Sequence, residues 1–191
     1  MATRLTLPLS RLKEADSLGK FNQPVPDESA TDDDKHAYIL ARMASDRLIY
    51  SNNISGSPKN EIALIENENN FTFPPMYRWF LENISQPHGS LTMEISVSLQ
   101  ECVEINREYR NNFREFSNDG DMVQLPDFGW IVSHRYGEQF QYIDCRLQPD
   151  SSVWYFNSWS TELKIIHTTI FQWIVGMMDA CESAIERSRN R

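Results

Sequence analysis

Residues able to do chemistry are present in this chain, but their spacing assembles none of the familiar sites. Histidines stand at 36, 88, 134 and 167. None has a second histidine three or four residues on, the spacing by which a helix presents two imidazoles to a metal. Cys102, Cys145 and Cys181 are too few and too scattered for a disulfide framework or a zinc cluster, and read as reduced core thiols. Asn118-Asp119-Gly120-Asp121 is a turn without the alternating oxygens and closing glutamate of a calcium loop. The carboxylates Glu66 and Glu68 read as part of a solvated helix face, because nothing else converges on them. There is no G-x-S-x-G elbow, no Walker-type phosphate loop and no G-x-G-x-x-G, and seven glycines provide poorly for a phosphate cradle. One pairing remains open for acid–base work. His134 lies beside an expected hairpin and could share a cleft with Asp144. The expectation is therefore a non-catalytic chain with no cofactor and no metal.

Aromatic residues are the other candidates. Trp79, Trp130 and Trp173 fall within apolar patterns and read as core. Trp154 and Trp159 flank Tyr155-Phe156-Asn157-Ser158, where an extended run gives way to a loop. Large, stiff aromatic side chains there suit recognition as well as packing.

Composition narrows the classes further. The chain has 191 residues, 40% of them hydrophobic and 12% aromatic, enough for a real core. The longest strongly apolar run, Ile170 to Met178, is interrupted by Gln172 and falls far short of the roughly 20 residues that span a bilayer. The first residues alternate leucine with polar side chains and form no signal-peptide core, so a cytoplasmic location is expected. A formal charge of −9 disfavours direct binding to nucleic acid and suits a basic partner.

The elements that must position these residues follow from periodicity. Residues 22–35 join two prolines to five acidic side chains and read as a surface loop. A helix is expected from near Asp33, with Ile39, Leu40, Met43 and Leu48 on one face, then a loop over 51–60. Ile62 and Ile65 mark a short helix to about Asn69. Pro75 suits the first position of the next, whose stripe is Tyr77, Phe80, Leu81 and Ile84 and which ends by Pro87 and Gly89. Residues 90–97 alternate loosely and could be a strand. Ser98 and Glu101 have the form of a capping box opening a helix with Leu99, Cys102, Val103, Asn106, Tyr109 and Phe113 inward. Residues 130–133 and 140–143 read as a hairpin around Tyr136-Gly137, and 152–156 as a third strand. From about Thr168 a long helix carries Ile170, Ile174, Met177, Met178, Cys181 and Ile185. The class is α+β: an antiparallel strand meander packed by helices, with a long C-terminal helix. The division expected is an N-terminal extension over 1–60 and an α+β domain over 61–191.

Residues 61–185 resemble the SUKH superfamily, which includes many bacterial immunity proteins and a yeast regulator of cell-wall synthesis. The resemblance rests on the order of its parts. Glu66 precedes Pro74 by eight residues, and Tyr77-Arg78-Trp79-Phe80-Leu81 follows. Then come the helix from Leu99 to Phe113, Tyr136-Gly137-Glu138, Tyr142-Ile143-Asp144, Ser152-Val153-Trp154, and Thr169-Ile170-Phe171-Gln172-Trp173-Ile174. The family's Asn-Gly after the Phe-Leu helix is replaced by Ile84-Ser85-Gln86-Pro87-His88-Gly89, and the first 60 residues lie outside the common core. The resemblance implies a non-catalytic protein that binds and neutralises a basic toxin such as a nuclease, and a monomer or weak homodimer is expected. On that reading Glu138, Asp144, Trp154 and Trp159, near one edge of the meander, form the partner-binding surface. The alternatives are a regulatory scaffold, like the eukaryotic branch, and a hydrolase using His134 with Asp144.

Overall fold

The computed structural model describes residues 21–45, 55–85, 97–116, 124–157 and 160–189. Trp159, His88, Pro87, Gly89 and all but the last residue of the expected 90–97 strand lie outside them.

Among the described residues, five helices and a four-stranded antiparallel sheet make the domain α+β, as expected. Helix α1 (Asp32–Ser45) starts where Thr31 accepts the Asp34 amide at 3.2 Å and returns its hydroxyl to the Asp34 carboxylate at 2.6 Å. Three acidic residues in its first turn favour the positive end of the helix dipole. Helix α2 (Lys59–Asn69) closes on Asn70 in the left-handed conformation, and α3 (Pro75–Asn83) opens with Pro75, whose missing amide costs nothing there. Gly56 is what lets the chain reach α3: a Cβ on it would lie 1.8 Å from the Glu82 carbonyl oxygen. The Ser57 amide donates to Leu81 O at 2.7 Å, meeting a carbonyl near the end of α3.

Helix α4 (Leu99–Phe116) is capped by Ser98, which accepts the Glu101 amide at 3.2 Å. The Glu101 carboxylate accepts the Ser98 hydroxyl at 2.6 Å rather than a backbone amide, a variant of the expected box. Strands β1 (Gly129–Arg135), β2 (Gln139–Asp144), β3 (Val153–Asn157) and β4 (Ser160–His167) then run in sheet order, each pairing the next. The fourth strand replaces the loop expected before the last helix. Helix α5 (Ile170–Arg189) begins where the Asp150 carboxylate accepts the Ile170 amide at 3.1 Å.

Both faces of the sheet are used. Trp130, Val132, Ile143 and Val153 join the larger core with Ile39 and Met43 of α1, Tyr77 and Phe80 of α3, and Trp173 and Ile174 of α5. Helix α1, within the segment read as an extension, thus packs into the same core as the strands. Its Arg42 is 5% exposed and pairs with Asp179 of α5 at 2.5 Å. On the other face Ile131, Phe140, Tyr142 and Phe156 pack with Ile105 and Tyr109 of α4, and Trp154 closes the cluster. Trp130 and Trp173 are core, as their patterns predict, and Trp79 is half-buried with its ring stacked 4.1 Å from that of His36. The Trp173 indole is satisfied by Gln141 Oε1 at 2.6 Å, an oxygen that also accepts from Ser133 at 2.8 Å.

Candidate recognition face at the hairpin end

The β1–β2 connection is the three residues Tyr136, Gly137 and Glu138, the first two of them at positive φ: Tyr136 at 54° and Gly137 at 67°. This left-handed pair matches the right-handed twist of a hairpin, and the Glu138 amide closes it on Arg135 O at 3.1 Å. Glycine suits its position. Tyrosine does not, and the left-handed region costs an L-residue roughly 1–2 kcal/mol. The chain bears that cost at an outward position, where Tyr136 is 76% exposed and the Arg135 guanidinium lies 5.3 Å from its ring centre. Strain held at an exposed position makes Tyr136 a candidate for a recognition surface.

Strand register locates the four residues read as partner-binding. Gln139 pairs with Asn157, and Asn157 with Ser160, so exposed Glu138 stands at the same end of the sheet as the β3–β4 connection. Trp159 belongs to that connection but lies outside the described residues. Asp144 terminates β2 at the opposite end, five residues from Gln139, or about 16 Å at the rise of a strand. Trp154 lies between these ends, opposite Tyr142, with the two rings stacked 6.2 Å apart. It is half-buried over the smaller core, so its ring serves packing as well as surface.

Asp144 is not a free anion. Arg146 forks onto it, with Nε 3.0 Å from Oδ1 and an Nη 2.6 Å from Oδ2, and the Arg146 amide adds a third bond at 2.9 Å. The side-chain bond to Arg146 is the main cause that holds the Asp144 carboxyl below its usual range. Nor does His134 meet Asp144. His134 is opposite Phe140, whereas Asp144 is opposite Gly129 at the far end of the ladder. Burial lowers the His134 pKa, against the opposing pull of Glu101 and Glu108. The acid–base pair left open by the sequence is not assembled.

The other chemistry-bearing residues have structural roles. Glu66, read as a solvated face, is 7% exposed: it accepts the Phe73 amide at 2.9 Å and forms an ion pair with Arg78, tying α2 to the start of α3. Glu68 is exposed, in keeping with that reading. Burial pushes the Cys102 thiol up to about 12 and raises that of Cys145, so neither is poised as a thiolate. Among the described residues no three His, Cys, Asp or Glu side chains gather as a metal site. A cleft of about 250 Å³ opens between α2, α4 and β1, floored by Ile65, Val103 and Trp130 with Arg107 and Arg110 at its rim. That is below the roughly 300–1,000 Å³ usual for small-molecule sites. Among the described residues no helix is long and apolar enough to cross a membrane.

Sequence reasoning passed over Tyr136 itself, although Gly137 signalled the turn. It also passed over the aliphatic side chains of β4, for which Ile165-Ile166 was the available signal.

Fold and surface together define an α+β domain that displays an aromatic turn at one end of its sheet and, at one edge, a strand that pairs on one side only among the described residues. The chain belongs to the SMI1 / KNR4 family (SUKH-1), whose model matches residues 56–176. No curated protein matches the chain.

Proposed function

We propose that the protein binds a cognate toxin and neutralises it without chemistry of its own, in the cytoplasm of the cell that makes both. Membership of the SUKH-1 family over residues 56–176 carries this reading. The surface supports it. A charge of −9 draws a basic enzyme such as a nuclease into encounter over long range. At contact, Tyr136 presents a large exposed ring on a backbone already fixed in the turn, which limits the ordering entropy lost on binding. Glu138 supplies an exposed carboxylate where the toxin would hold a substrate phosphate. Trp159 stands two residues beyond the end of β3 in the sequence and belongs to the same proposed surface, which Trp154 braces from within. Asp144, neutralised by Arg146, contributes shape rather than charge. A stable complex of this type buries about 1,600 Å² around a few such anchors.

The test is co-expression of the chain with the toxin encoded beside its gene, followed by calorimetry on the purified pair. Restored growth and a saturable complex are expected. Toxicity undiminished by the folded chain, with no heat of binding, would sink the reading. Within a complex that does form, Glu138→Lys combined with Tyr136→Ala should weaken affinity at least about a hundredfold.

A further inference from the structure

The two edges of the sheet are finished differently. Along β1 the outward backbone groups are plugged by side chains of α4. Asn106 bonds both the amide and the carbonyl of Ile131 at 2.9 Å, Arg110 reaches Gly129 O at 2.5 Å, and the Cys102 thiol reaches Val132 O at 3.3 Å. Strand β4 forms the other edge, and among the described residues it pairs with β3 alone. Residues 162–166 are all exposed, with Leu163 at 40%, Ile165 at 51% and Ile166 at 37%. An open edge carrying aliphatic side chains is a template for another strand.

We propose that this strand is β4 of a second copy, paired antiparallel about a two-fold axis through Leu163, so that one sheet continues through both molecules. The charge pattern selects this occupant and this register. Lys164 stands opposite Tyr155 and Ile165 opposite Trp154, so the two point to opposite faces. Glu162 shares the face of Lys164 and pairs with it at 3.1 Å. In an antiparallel pair, directly opposed residues share a face, so the axis must pass through a residue and not between two. Centring on Glu162 or Lys164 would set like charges against each other. Centring on Leu163 sets each Glu162 against the other copy's Lys164 and brings the two Leu163 side chains together. A lysine on an edge strand ordinarily discourages pairing. With Glu162 two residues away, the same lysine admits one register and penalises its neighbours. The axis stands perpendicular to the sheet, so the two Tyr136 turns fall at opposite ends and stay open to other partners.

The experiment needs no toxin, and its outcome is independent of the function proposed above. Analytical ultracentrifugation of the full chain over a concentration series should show a monomer–dimer equilibrium. Lys164→Glu and Glu162→Lys each replace two attractive cross-strand pairs with two repulsive ones, and each should weaken dimerisation about tenfold or more. The double swap Glu162→Lys with Lys164→Glu restores complementarity and should restore the dimer. All three changes sit on the surface, and far-UV circular dichroism checks that the fold is kept. A chain that is monomeric throughout, single variants that dimerise like the parent, or a double swap that does not recover would each overturn the proposal.

Discussion

Asn106 holds the backbone of Ile131 at both its amide and its carbonyl. The Asn106 Nδ2 donates to Ile131 O and the Ile131 amide donates to Oδ1, each at 2.9 Å. A helix side chain thereby does at the β1 edge what a neighbouring strand would do. The same amide nitrogen also donates to Cys102 O at 2.7 Å within α4. Replacing Asn106 with alanine leaves a buried N–H and a buried C=O without partners. We expect a loss of about 2–4 kcal/mol, read from the urea midpoint with the m-value unchanged. A cost within about 0.5 kcal/mol would mean that water or a neighbour replaces the amide.

Glu66 has a comparable role one layer away. Its two oxygens divide their work, one accepting the Phe73 amide at 2.9 Å and the other pairing with Arg78, which also reaches Glu82 at 3.1 Å. Glu66→Gln keeps an acceptor for the amide and loses the ion pair, whereas Glu66→Ala loses both. We expect alanine to cost about 2–3 kcal/mol and glutamine clearly less, because Arg78 is partly solvated and keeps Glu82. Equal losses for the two variants would show that the charge, and not the bond to Phe73, is what matters.

Stability should depend on pH through three histidines. His36 lies against Trp79, His134 beneath α4, and His167 against Gly176, where an added Cβ would come 2.7 Å from its ring. Burial is the main cause that lowers each of them from 6.5, opposed at His36 by Asp32 and Asp33 and at His134 by Glu101 and Glu108. A histidine with a lowered folded pKa binds more protons when unfolded, so stability rises with pH across the window between the two values. The contribution is complete above about 6.5 and is lost as pH falls through that value toward the folded ones. Asp150, raised mainly by burial, works against this trend as it protonates. Denaturant midpoints should be lower at about pH 5.5 than at about pH 7.5, roughly one unit either side of the ordinary histidine value, and His167→Gln should flatten the difference. A midpoint that does not fall would show that the rings are protonated without cost.

Most of the fold is legible where local chemistry and burial agree. Pro75 opens α3, Ser98 caps α4, and the stripe Tyr77, Phe80, Leu81 and Ile84 is buried. Strand β4 was missed because its pattern is short and stands clear of the core. Glu162 to Ile165 alternate, but Ile166 interrupts the period where the β3–β4 register shifts. The surface was legible in part. Glu138 is exposed at the turn, but Asp144 is silenced by Arg146, whose bidentate grip two residues along the chain depends on the bend after β2. Tyr136 escaped notice because its conformation opposes its own preference, and only Gly137 announced the turn.

That opposition can be measured. Asparagine tolerates the left-handed region far better than tyrosine, so Tyr136→Asn should relieve the turn and stabilise the fold by about 1 kcal/mol. Little packing is lost, since the ring is 76% exposed and its nearest cation is Arg135. If Tyr136 is held there for recognition, the same change should weaken toxin binding by about tenfold or more. Stability and affinity would then move in opposite directions at one position. A variant that gains stability and keeps full affinity would mean that the strain serves the hairpin alone, and the recognition face would have to be sought away from this turn.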